Sequence, residues 1–201
     1  MLIPFVVFIL LGCGTAPLLL IAGGRSCLAM YRFEQMNITL DTLDFSVENA
    51  FCVSNERIAI CGGMIKLVTS EDELAAIVMH EKAHLVLKHG EKAWYEKVGG
   101  WFTGWFTDES KPRFRGPPDP KSVARENEAD AKGLMLMAEA GCDPQAAVSF
   151  WTRYYERTGW WEGDGTHPKP RERLAHLNAL MPKAKELYRV ANNKKQKESA
   201  K

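Results

Sequence analysis

The chain has 201 residues, a length that suits one domain with its own core and is too short for two of ordinary size. Its 26 Lys and Arg stand against 25 Asp and Glu, a formal charge of +1, so it lacks the basic excess that phosphate-backbone binding needs and nucleic acid is set aside as a partner. Five cysteines, Cys13, Cys27, Cys52, Cys61 and Cys142, form no CxxC pair, which removes a thiolate zinc knuckle and a thioredoxin motif; buried small hydrophobes account for them at least as well as disulfides do.

In chain order, residues 1–24, MLIPFVVFILLGCGTAPLLLIAGG, come first and carry no charged group. A run of about 18 or more such residues is long enough to cross a bilayer. Pro4, Gly12, Gly14 and Pro17 interrupt it, and three readings compete: an anchor helix, a cleaved signal peptide, and a lipoprotein signal ending in LLGC whose Cys13 takes the lipid. The missing basic residue before the run counts against a signal peptide, and the apolar PLLLIAGG after Cys13 counts against lipidation. All three place the protein at a membrane and outside a bacterial cytoplasm.

Residues 45–68 alternate short apolar runs around a turn cluster at Ser54, Asn55 and Glu56, which predicts one or two strands forming a hairpin. TSEDELAAIVMHEKAHLVLKHG then predicts a helix, opened by a capping box of Ser70 and Glu73 and stopped by Gly90. Gly99 to Phe106, GGWFTGWF, is glycine-broken and aromatic, either core beneath a loop or a membrane-facing patch, and a proline-rich loop follows. A second helix, KSVARENEADAKGLMLMAEAG, closes at Gly141; Asp143 and Pro144 open a third, and PRERLAHLNALM is a fourth. The polar, basic end of the chain has nothing to bury. The expected fold class is α+β, mostly helical, with a small sheet or hairpin packed beside the histidine-bearing helix. The expected division is an apolar anchor or (lipoprotein) signal segment at 1–24, the domain at 25–190 and a disordered basic tail at 191–201.

The chemistry lies in HEKAH. His80 and His84 are four apart, so on a helix their rings share one face and can take two corners of one zinc tetrahedron. Glu81, one residue round, is placed to take a proton from a metal-activated water. The helix is apolar nearly all round and therefore buried, so its histidines need partners or a metal. A third ligand is available in RENEADAKG, where Glu126 and Asp130 share a helix face: Glu126 can bind the metal while Asp130 accepts a hydrogen bond from the far nitrogen of a ligand histidine. Glu128 points away from that face and reads as a solvated charge; His89 reads as a helix-end charge and His176 as surface. Trp151, Tyr154 and Tyr155 read as core.

With NAF at Asn49 to Phe51, the segments Arg57 to Gly90, Arg125 to Ala147 and THPKPRERLAHL at Thr166 to Leu177, the chain resembles the HtpX and CAAX-prenyl-protease type family of membrane-associated zinc metalloendopeptidases, within the gluzincins. The resemblance implies a gluzincin-like domain with one zinc ion per chain, held by His80, His84 and Glu126, with Glu81 as general base and acid and Asp130 as the partner of His80. It further implies that His167 and Arg173 lie near the active site and help hold the substrate or the developing oxyanion, and that His167 can close over the metal. The strand Arg57 to Cys61 resembles the family's edge strand, on which an extended peptide pairs. Cys142 and Lys82 depart from the usual pattern at positions that are not ligands. With one candidate span, the layout resembles singly anchored or lipoprotein members of the bacterial envelope facing the periplasm. Those act on misfolded or unfolded polypeptides in quality control, alongside envelope assembly machinery. The rival reading is a chaperone-like or assembly-factor protein whose zinc site is structural or self-inhibited and which binds peptides without cleaving them.

Overall fold

Residues 37–54, 56–89, 120–159 and 169–199 are described by a computed structural model. Three strands, β1 (Thr39–Leu43), β2 (Ala50–Ser54) and β3 (Arg57–Cys61), form one sheet in the order β1-β3-β2, with β1 parallel and β2 antiparallel to β3. Ile58, Ala59 and Ile60 are fully buried, the continuous apolar pattern of a strand covered on both faces. The expected hairpin is therefore β2 and β3, whereas β1 went unforeseen because TLDTL is short and half polar. The expectation that β3 is an edge strand is corrected. Its main chain is paired on both sides, and β1 and β2 form the edges.

A single helical turn, α1 (Gly62–Ile65), leads to the long helix α2 (Glu71–Val86). Ser70 caps α2 by accepting a hydrogen bond from the Glu73 amide at 3.1 Å. The Glu73 carboxylate closes the box one residue earlier than expected, on the Thr69 amide at 2.7 Å, and is clamped by Arg153. The helix stops before Gly90. Leu87 is the cap, and Lys88 takes the left-handed conformation with φ 56°. The amides of Lys88 and His89 then donate to the carbonyls of Leu85 and His84, the two reversed bonds of a Schellman turn.

α3 (Pro120–Glu139) ends in a second such turn, at Gly141 with φ 74°, and α4 (Gln145–Thr158) starts where Asp143 accepts a hydrogen bond from the Gln145 amide. α5 (Pro170–Ser199) differs from expectation: it passes through Pro182 and remains helical where a disordered tail was expected from residue 191. Leu177, Met181 and Ala184 are buried against the core, and extending a helix already held there costs little per further residue. Lys195 then donates to the Ala140 carbonyl at the end of α3.

The core lies between α2, α3, α4 and α5, with the sheet on the other side of α2. Cys52, Cys61 and Cys142 are buried free thiols. Among the described residues no helix is long and apolar enough to cross a membrane. The expected membrane segment at 1–24, Cys13, Cys27, the aromatic stretch Gly99 to Phe106, and His167 lie outside the described residues.

Candidate metal centre

Two helices build the site. On α2, His80 and His84 project one turn apart; on α3, Glu126, Asp130 and Gly133 fall on one face at spacings of four and three. Gly133 lets the helices meet. A Cβ there would lie 2.9 Å from the Met79 carbonyl oxygen and 3.0 Å from the His80 Cα, so no larger residue fits without moving a backbone. That close approach brings the Glu126 carboxylate to both imidazoles, at 3.3 Å from His80 Nε2 and 3.5 Å from His84 Nε2, while the two Nε2 atoms are 3.2 Å apart. His80, His84 and Glu126 each offer a ligand atom within 4.8 Å of the others and can hold a metal ion. All three expected ligands converge.

Behind His80, its Nδ1–H donates to Asp130 Oδ1 at 2.8 Å. The Arg173 guanidinium forks onto the same carboxylate, Nη2 to Oδ1 at 2.6 Å and Nε to Oδ2 at 2.8 Å. Arg173 is 2% exposed and its guanidinium lies 3.7 Å from the Trp151 ring centroid. Arg173 thus contacts Asp130 and the aromatic core, a position that fits holding the site together. Burial opposes ionisation of Asp130, but the charges of Arg173 and His80 outweigh it and hold the carboxyl at about 2. Burial likewise opposes charge on His80, yet the hydrogen bonds to Asp130 and Glu126 carry its pKa up to about 10. A metal there requires the neutral imidazole, so its uptake is coupled to loss of a proton.

Glu81 points toward the sheet. Its carbonyl oxygen accepts from the Cys52 thiol at 3.0 Å, and its Oε2 lies 3.6 Å from the same sulfur. Burial is the main cause that pushes the Glu81 carboxyl above the usual range. The opposite charge of His80 and His84 offsets part of it. Cys52 was not foreseen as a neighbour, since nothing in a strand sequence says which helix residue it will face.

Two other residues depart from their sequence reading. His89 Nδ1 lies 3.2 Å from His84 Nδ1, and its Nε2 lies 3.0 Å from Glu128 Oε2. His176 Nε2 reaches the Asn127 carbonyl at 3.2 Å, so it is half-buried.

Residues 26–102 and 119–181, well over half of the chain, match peptidase family M48. Among curated proteins the chain is 29% identical over 151 residues to the mitochondrial metalloendopeptidase OMA1 of Schizosaccharomyces pombe, covering 68% of this chain and 44% of that protein. It is 30% identical over 165 residues to the Arabidopsis thaliana protein of the same name, covering 71% and 32%. The human protein is 27% identical over 184 residues, covering 79% and 35%. The chain spans less than half the length of these relatives. The expectation of a bacterial envelope is overturned here, because the relatives are mitochondrial by name. The resemblance holds at the level of the metallopeptidase family, while the narrower HtpX and CAAX-prenyl-protease branch finds no support in these relatives. With a triad that can hold a metal ion on the matched segments, the chain belongs to peptidase family M48.

Proposed function

We propose that the chain is a zinc-dependent endopeptidase domain that takes unfolded or extended polypeptide as substrate. The observation that carries this is the convergence of two imidazole nitrogens and one carboxylate on a single point. A tetrahedral zinc with bonds of about 2.0–2.1 Å has ligand-to-ligand edges of about 3.3–3.4 Å. The two imidazole Nε2 atoms stand 3.2 Å apart, close to that edge, and the Glu126 carboxylate faces both, with Oε2 at 3.3 Å from His80 and Oε1 at 3.5 Å from His84. A donor set of two imidazoles and one carboxylate suits zinc and leaves a fourth corner for a small molecule.

When bound, zinc would supply Lewis acidity toward a carbonyl oxygen and toward water. The protein's own groups supply the rest. Glu81, its proton affinity raised by burial, takes a proton from the attacking water and returns it to the leaving amine. Cys52 Sγ lies beside that carboxylate, 3.6 Å from Oε2. Among the described residues β2 is an edge strand beside α2, and an extended peptide paired along it would run past Glu81. Main-chain pairing of that kind gives affinity with little sequence selectivity. Under the same reading His167 remains the candidate for closing over the centre or contacting the oxyanion. Faster cleavage by His167→Ala would indicate closure, slower cleavage oxyanion contact. The names of the relatives make the mitochondrion the proposed setting.

The test measures zinc content and cleavage of unfolded casein together. Wild type is expected to hold one zinc per chain and to cleave. Glu126→Ala should lose the metal, and Glu81→Gln should keep it while losing at least about 1000-fold in rate, as befits removal of a proton-transfer group. Zinc uptake by wild type without cleavage would leave peptide binding as the task and sink the peptidase reading.

A further inference from the structure

We infer that His89, backed by Glu128, is a positioning residue that fixes the ring and tautomer of His84; the inference rests on His84 being a metal ligand. Since His84 Nε2 faces His80 and Glu126, its proton belongs on Nδ1. That nitrogen lies 3.2 Å from His89 Nδ1, which must then be the unprotonated acceptor. His89 therefore carries its own proton on Nε2 and donates it to Glu128 Oε2 at 3.0 Å. The direction of each bond follows from the one before it, and the chain ends on a carboxylate. Ligand histidines ordinarily donate their far N–H directly to a carboxylate or carbonyl, as His80 does to Asp130. His84 instead uses a second imidazole to reach a carboxylate on α3.

The backbone is bent to make this contact. A residue five positions after His84 would point elsewhere on a continuing helix. The left-handed Lys88, at φ 56°, turns the chain back so that the His89 amide bonds the His84 carbonyl and its ring meets the His84 ring edge-on, with centroids 5.2 Å apart. A lysine in that conformation costs about 1–2 kcal/mol, the kind of strain that clusters at functional sites. The His89 side chain is only 9% exposed, whereas that of Glu128 is 63% exposed, so the imidazole carries most of the effect.

The test uses the full chain and zinc itself, with affinity read by chelator competition and ligand geometry by the visible spectrum of the cobalt-substituted protein. His89→Leu is expected to lower zinc affinity about 10–100-fold and alter the cobalt bands. His89→Gln, whose amide can accept from His84 and donate to Glu128, should recover affinity to within about threefold of wild type. Glu128→Ala should cost only about threefold, because water replaces an exposed acceptor. Equal weakening in the Leu and Gln variants would reduce His89 to packing and overturn the inference, as would wild-type affinity in both. If His89→Leu fails to fold, wild-type affinity and cobalt bands in both His89→Gln and His89→Asn, where the shorter amide cannot reach, overturn it equally. A wild-type chain that takes up no zinc overturns the metal reading and this inference with it, whereas zinc binding indifferent to residue 89 removes the inference alone.

Discussion

His80 and His84 leave the same face of α2 one turn apart, yet they are held in opposite ways. His80 is tied inward, through Asp130 to an Arg173 that is 2% exposed and packed on Trp151. His84 is tied outward, through His89 at a strained helix end to a Glu128 side chain that is 63% exposed. The inner arm is a buried ion pair whose carboxylate is fully satisfied, so it belongs to folding as much as to the metal. The outer arm lies where the backbone of α2 stops being helical, and it can be altered without opening the core.

The largest expected effect breaks the inner arm. Arg173→Leu leaves the Asp130 carboxylate buried without its guanidinium, which typically costs about 3–5 kcal/mol. Urea denaturation of the metal-free protein should show that loss, with Asp130→Asn in the same chain restoring part of it. Glu128→Ala, on the outer arm, should stay within about 0.5 kcal/mol of wild type. Comparable losses in the two would mean that the arms do not differ in kind.

Acid sharpens the same contrast. Asp130 has its folded-state pKa held at about 2, below the value of about 3.9 expected in an unfolded chain. Its contribution, on the order of 2–3 kcal/mol, is therefore fully present above about pH 4 and lost as the pH falls through about 2. His80 has the opposite sign. With a folded-state pKa of about 10, its contribution is present below the unfolded value of about 6.5 and lost as the pH rises through about 10. Metal-free protein should be most stable between those limits, and Asp130→Asn should flatten both slopes in unfolding curves taken from pH 2 to 10. An unchanged pH profile in that variant would detach the pair from stability.

Gly133→Ala acts on the frame of both arms. The added methyl meets the backbone at Met79 and His80, so α3 must move, carrying Glu126, Glu128 and Asp130 with it. Overpacking of this sort costs about 1–3 kcal/mol. Zinc affinity should fall alongside stability, measured by chelator competition on the folded variant. A stable variant of normal affinity would show that α3 has room to spare.

What was legible in the sequence follows from helical periodicity. His80, His84, Glu126 and Asp130 sit at spacings of four on helices whose starts and stops are marked, so their shared faces could be read directly. His89 could not be, because it reaches His84 only through a left-handed turn at a lysine, a residue that carries no turn signal. Glu128 looked solvated because it lies off the Glu126 face. It is solvated, and it still meets His89, which arrives from beyond the end of α2. Arg173 was placed near the site by resemblance, but whether it faces substrate or Asp130 depends on how α5 docks. The order of the strands was hidden for a similar reason: local pattern reports a strand's burial but not its neighbours, and β1 arrives from a segment with weak alternation. Near the helical end of α5 a lysine reaches a carbonyl 55 residues earlier, a contact that local pattern does not report.

The smallest expected effect probes the turn that makes the outer arm possible. Lys88→Gly removes the clash of a Cβ at φ 56° while adding backbone freedom to the unfolded chain. The balance should be a gain of about 0.5–1 kcal/mol, since glycine is the usual occupant of this position in a Schellman turn. Zinc affinity should hold, because the turn that delivers His89 is kept. Lys88→Val goes the other way: a β-branched residue tolerates the left-handed conformation worst, so the turn opens and His89 leaves His84. That variant should lose zinc affinity in the manner of His89→Leu with the core intact, as judged by near-ultraviolet circular dichroism. A valine variant that binds zinc as wild type does would show that the strain at Lys88 serves the chain's exit from α2 and not the ring of His84.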